Sequence, residues 1–293
     1  MKLDVVKLKE IKPALTGYVS ESQALLKLSP IPGEEAVHDI RVLMKKSRAV
    51  LKLAATQLDQ DSYERDIRAF REVGRLLCSW RESSVHRKVL KELRKENPAL
   101  FLKLQENEKL TDLMKKELHT VESSEELSAG LEQITDLLNK AGYRIRFQSM
   151  DRIDPHILLK ELELSYTRVS EKYLTCRNKP KACNMHEFRK LTKDFLYQLC
   201  FFRPLNPSAV KTLEKKLENL TQDLGRFNDL SQLIRALGYK YSEGTNLPAL
   251  DELIVKIREK QDRHLAKVWP VAYKVFCPGQ QLVNMLGFKL LVI

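Results

Sequence analysis

The chain has 293 residues, 43% hydrophobic and 31% charged, with only 10 Gly and 11 Pro. It is long enough to bury one large core or two of about 150 residues each, and its composition excludes disordered, collagen-like and Gly-rich phosphate-loop architectures. Lys and Arg outnumber Asp and Glu by 51 to 39, a net charge of +12 that favours polyanionic partners.

The most apolar stretch, 281–293, is too short to span a bilayer and contains Lys289. At the start, MKLDVVKLKE puts Asp4, Lys7, Lys9 and Glu10 where an export signal needs an apolar run. Five cysteines (Cys78, Cys176, Cys183, Cys200, Cys277) form no CxxC pair and suit a reducing compartment. A cytoplasmic protein with no membrane partner is expected.

Proline and glycine separate segments of helical period, and strand patterns are almost absent. The spacing predicts helices over 3–28, 34–58, 61–96, 98–119, 123–142, 154–176, 183–203, 207–238, 248–268 and 280–290. On helix 34–58, Val37, Ile40, Met44, Ser47, Leu51 and Ala54 fall three or four apart and form a stripe facing the core. One residue on, His38, Arg41, Lys45, Arg48 and Lys52 repeat that spacing as a basic stripe, bordering the core face instead of opposing it. Helix 61–96 adds Arg68, Arg71 and Arg75 as a candidate second wall, with Lys211 and Lys215 on helix 207–238. Helix 183–203 carries Met185, Phe188, Thr192, Phe195, Leu199 and Phe202 as its core stripe, with His186, Arg189 and Lys193 beside them and Lys190 on the flank. The apolar tail from Val271 is expected to pack on the second half of the chain.

The two basic helices are related in sequence. EEAVHDIRVLMKKSRAVLKLA (34–54) aligns without a gap with ACNMHEFRKLTKDFLYQLCFF (182–202) at an offset of 148, matching His38 to His186, Arg41 to Arg189 and Lys45 to Lys193. LLCSWRESSV (76–85) then matches DLGRFNDLSQ (223–232) at an offset of 147, pairing Trp80 with Phe227 and Glu82 with Asp229. Two matches at nearly one offset indicate a duplicated unit, residues 1–149 and 150–293, and predict a pseudo-twofold axis between the copies. The fold class expected is all-α, with four or five helices in each half packed as helix bundles.

These blocks, VHDIRVLMKKSRAVLKL and MHEFRKLTKDFLYQL, each followed by a WRESSV or FNDLSQ element, resemble the conserved histidine α-helical domain (CHAD) over nearly the whole chain. The resemblance implies two four-helix bundles related by pseudo-twofold symmetry around a basic central cavity, which binds inorganic polyphosphate without catalysis or a cofactor. By position, it implies that His38, Arg41, Lys45, Lys46 and Arg48 act from the first basic helix, and His186, Arg189, Lys190 and Lys193 from the second. The chain departs from the family pattern at Cys78, which replaces a glycine, at Glu82 and Ser84, which replace aspartates, and at Leu196, where a basic residue is common. Residence on polyphosphate granules would follow from such binding.

Other chemistries fit the sequence less well. Glu35-x-x-His38 matches half of a di-metal signature, but Cys183 takes the glutamate's place before His186. His38-Asp39 also occurs in metal-dependent phosphohydrolases, which need further His and Asp at metal spacing that His86, His119, His156 and His264 do not supply. Motifs for P-loop nucleotide hydrolysis, zinc proteolysis and nucleophile-elbow hydrolysis are all missing. Nucleic acid is the rival partner, since its backbone also suits a basic stripe. The aromatics near the stripes (Trp80, Phe188, Phe195, Phe202) nevertheless stand at core positions, not as stacking platforms.

Overall fold

The computed structural model describes residues 8–29, 31–106, 124–150, 153–239 and 248–287, and all their side chains except those of 79–84, 124–127 and 238–239. The described residues are all-α, with no strand. The helices are α1 (Ile11–Lys27), α2 (Glu34–Leu53), α3 (Gln60–Leu76), α4 (Cys78–Glu96), α5 (Pro98–Gln105), α6 (Ser124–Phe147), α7 (Pro155–Asn178), α8 (Ala182–Leu199), α9 (Pro207–Tyr239), α10 (Pro248–Phe276) and α11 (Leu282–Leu286). No helix among the described residues is long and apolar enough to cross a membrane.

Local chemistry sets several helix starts. Asp59 accepts a hydrogen bond from the Ser62 amide at 2.9 Å, Asp154 from that of His156 at 2.8 Å and Asn206 from that of Ala209 at 3.2 Å, satisfying donors that a helix start leaves open. Pro98, Pro155, Pro207 and Pro248 begin α5, α7, α9 and α10, where the missing N–H costs nothing.

Packing follows the apolar stripes. α1 lies on α2, α2 on α3, α3 on α6 and α6 back on α1; α7 lies on α8, α8 on α9, α9 on α10 and α10 on α7. The two sets meet where α2 touches α8. Every residue of the stripe from Val37 to Ala54 is buried, as is every residue of the stripe from Met185 to Phe202. One apolar core runs through both sets, from Ile11 to Leu286, across the expected boundary at 149/150. In it Tyr166, Tyr173, Phe188, Phe195 and Phe276 make tilted or edge-on ring contacts, an arrangement that contributes beyond the area buried. A second, smaller core joins α4 and α5 to α9 and α10 through Val89, Leu93, Phe101 and Leu104 against Leu233, Leu237, Leu253 and Ile257.

Several helix boundaries differ from the sequence expectation; the helix expected over 123–142 runs on to Phe147, and that over 183–203 ends at Leu199. Segment 61–96 is two helices, because the Arg41 guanidinium donates to the Gly74 carbonyl at the end of α3, and a side chain entering the backbone ladder breaks a helix there. Its counterpart α9 is continuous over 33 residues. The helix expected to stop at 268 runs through Pro270 to Phe276. An interior proline costs about 3 kcal/mol, and burial of Val268, Ala272, Val275 and Phe276 outweighs it. Helix 34–58 ends at Leu53 in a 3-10 turn, Ala55–Gln57. Of the helix expected over 98–119, α5 covers the start, and 107–119 lie outside the described residues. The tail packs inward through Leu282 and Leu286, while Phe288 and Leu290 are not among the described residues.

Candidate basic site between α2 and α8

The stripe residues divide by depth. Arg41, Lys45, Lys46 and Arg48 on α2 and Arg189 and Lys193 on α8 are half-buried, whereas His38, Lys52, His186 and Lys190 are exposed. Partial burial follows from the register: a residue next to the core stripe leaves solvent along its stem while its head stays near the surface.

Two contacts fix α2 on α8. Lys52 Nζ reaches Asp194 Oδ2 at 2.5 Å, and the buried Gln198 Nε2 donates to the Ala49 carbonyl at 3.0 Å. Residue numbers rise on one helix as they fall on the other, so the two run antiparallel at this contact. Lys46 projects over the Tyr18 ring and Lys193 over the Tyr197 ring, both at 5.7 Å.

Each helix anchors its arginine against a neighbour. Arg41 donates to the Gly74 carbonyl, and its Nη2 lies 3.8 Å from Cys78 Sγ. Arg189 lies against Gly225 on α9. The sequence offset of 147 pairs Cys78 with Gly225, so the two arginines face matched positions. The Nε atoms of Arg41, Arg48 and Arg189 are out of solvent and have no acceptor. His186 Nδ1 is 2.7 Å from Asn228 Oδ1, which as an acceptor places the proton on Nδ1. His38 lines a cavity of about 600 Å³ with Glu34, Glu35, Asp39, Lys88, Arg226 and Asp229, a setting of mixed charge. No three His, Cys, Asp or Glu among the described residues are placed to hold a metal ion.

Like charges act on one another here. The Arg48 pKa is lowered by burial first and then by Arg71 and Arg41, against an opposing pull from Asp194. Lys193 is likewise lowered by burial and by Arg189 and Lys46, with Glu218 opposing. Lys46 of α2 and Arg189 of α8 thus both act on Lys193, and Arg71 of α3 and Arg41 of α2 both act on Arg48.

The candidate second wall is only partly brought in. Arg68 pairs with Glu64 at 2.5 Å and Arg75 with Glu72 at 2.6 Å, both within α3, while Arg71 acts on Arg48 of the α2 stripe. Lys211 and Lys215 are exposed on α9, and Lys190 pairs with Glu187 at 2.9 Å. Leu196 is buried, which explains the shorter basic line on α8. The side chains of Trp80, Arg81, Glu82 and Ser84 lie outside the described ones. Asp194 is a site residue that the spacing does not single out, although it stands 148 positions after Lys46 and so marks where the two helices differ in charge.

No curated protein matches the chain. A solved structure, the crystal structure of the CHAD domain from the plant Ricinus communis, is similar in fold, with a TM-score of 0.61 over 94% of this chain and 95% of that one at 16% identity. The family model for the CHAD domain matches residues 23–238, and the chain belongs to that family.

Proposed function

We propose that this chain binds inorganic polyphosphate without cleaving it, in a basic groove shared by α2 and α8. We also propose that the α1–α2–α3–α6 and α7–α8–α9–α10 sets are four-helix bundles, copies of one unit related by a pseudo-twofold axis at the α2–α8 contact. The observation that carries the binding reading is the gathering of half-buried cations on α2 and α8: Arg48 is lowered first by burial, with Arg71 and Arg41 adding to it against Asp194, and Lys193 first by burial, with Arg189 and Lys46 adding to it against Glu218. A polymer with one negative charge per phosphate relieves that repulsion along the whole groove.

In this reading Arg41 and Arg189 are forked donors to phosphate oxygens, while Lys45, Lys46 and Lys193 act as point charges. His186, held through Nδ1 by Asn228, donates to phosphate from Nε2–H only as the imidazolium. The acidic setting of His38 makes it the rim of the groove. Counterions released from the polymer drive association, so affinity falls with salt and climbs with chain length until the groove is filled. Cations that hold substrate and transition state alike give binding without rate enhancement, so the chain is a carrier and not an enzyme. In the cytoplasm it would follow its polymer to polyphosphate granules.

The test is calorimetric titration with polyphosphates of defined length at two salt concentrations, comparing wild type with Arg41→Ala and Arg189→Ala. Each variant is expected to lose about 1.5 to 3 kcal/mol of affinity and about one unit of salt slope. Wild-type affinity and slope in both would overturn the assignment.

A further inference from the structure

Tyr143 and Phe147 stand one turn apart on the outer face of α6, 68% and 65% exposed, with ring centroids 4.7 Å apart. The Arg146 guanidinium lies 5.8 Å from the Phe147 ring. Beside them, a groove of about 510 Å³ between α3 and α6 is lined by Arg65, Arg68, Arg71, Lys140 and Arg144, with Glu72 as the one acid on its wall. Tyr143 follows Lys140 by three residues and Phe147 follows Arg144 by three, so a line of rings runs beside a line of cations. Asp66 is buried and binds Arg144 Nε at 2.7 Å and Nη2 at 2.6 Å, fixing that guanidinium at the groove. Glu64 and Asp136 make exposed ion pairs with Arg68 and Lys140, of the weak kind that a competing anion displaces.

Inorganic polyphosphate has no apolar part and gains nothing from exposed rings. A ligand with both backbone phosphates and flat π faces uses the rings and the groove together. We propose that the α3–α6 surface binds single-stranded nucleic acid, with phosphodiesters along Arg65, Arg68, Lys140 and Arg144 and bases stacked on Tyr143 and Phe147. Duplexes keep their base faces inside the stack and cannot use the rings. This surface is separate from the α2–α8 groove except at Arg71, whose charge is felt by Arg48.

Anisotropy titrations of the full chain with a labelled oligoribonucleotide, the same sequence as DNA, and the corresponding duplex test the proposal, alongside inorganic polyphosphate. The Tyr143→Ala/Phe147→Ala variant removes two exposed rings and leaves the core intact. It is expected to weaken single-strand binding about tenfold or more for each ring engaged, with polyphosphate affinity and melting temperature unchanged. Arg189→Ala is expected to spare single-strand binding, so failure here and failure of the polyphosphate site are told apart. RNA and DNA are expected to bind alike if stacking and charge suffice, and a preference for RNA would add contacts to the 2′-hydroxyl. Single-strand affinity unchanged in the double variant, or a duplex bound as tightly as the single strand, overturns the proposal.

Discussion

The Arg189 guanidinium lies flat enough against Gly225 that a methyl group built on that glycine would sit 3.4 Å from Nε and 3.6 Å from Nη2. At the matched position 147 residues earlier, Cys78 occupies that space beside Arg41, so a small side chain is compatible with the arrangement. Gly225→Ala is therefore expected to stabilise α9 by up to about 1 kcal/mol, because glycine is a poor residue inside a helix. Gly225→Leu fills the place of the guanidinium and is expected to lower polyphosphate affinity by about an order of magnitude, in line with loss of one charge-assisted contact. Thermal melts and calorimetric titrations of the two variants check both outcomes.

Lys193 contributes charge where burial, Arg189 and Lys46 all oppose it. Replacing it with methionine keeps the stem's packing and removes the repulsion. Lys193→Met is expected to melt at a higher temperature than wild type while binding polyphosphate more weakly. A variant that is both less stable and unimpaired in binding would contradict the role given to this lysine.

Proton linkage provides a third test. Lys193 in the free protein has a pKa below its ordinary value of 10.5, and a bound polyanion raises it. Binding then takes up a proton in the window between the free and bound values, and affinity falls as pH rises through the lowered free pKa. Well below that value the lysine is charged in both states and adds no pH dependence. For folding the sign is opposite: the unfolded chain holds this proton more tightly, so the lysine's contribution to stability improves as pH climbs from the folded pKa toward 10.5. Titrations of polyphosphate in two buffers of different ionisation enthalpy measure the uptake, which Lys193→Met should reduce.

The Asp66–Arg144 pair is expected to matter for stability. Asp66 is fully buried, its Oδ2 has no partner, and burial pushes its pKa up despite the opposing pull of Arg144. Arg144→Leu strands the carboxyl and is expected to cost about 3 kcal/mol, while Asp66→Leu/Arg144→Leu recovers most of that loss. Denaturant unfolding of the single and double variants gives the coupling directly.

Much of this was legible in residue spacing, and the exceptions have physical reasons. Burial of the two core stripes follows from three-and-four periodicity, and Arg41, Arg48, Arg189 and Lys193 are half-buried because they stand one position off those stripes. The break at Leu77 was not legible, since it comes from Arg41, more than thirty residues away in sequence. Likewise, passage of α10 through Pro270 depends on aromatic partners from α7 and α8 that no local window contains. The pairing of Lys52 with Asp194 is also long-range. Tyr143 and Phe147 were legible in principle: two aromatics four apart, on the side of α6 opposite Ile134, Leu138, Ala141 and Ile145, announce an exposed pair.

The smaller core, in which α4 and α5 lie on α9 and α10, has a mechanical consequence. The first half of the chain reaches over and clasps the second, so α2 and α8 are braced at a distance from their own contact. If α2 and α8 hold a polymer as proposed, the second core resists their parting, because moving them apart also strains the packing of α4 and α5 on α9 and α10.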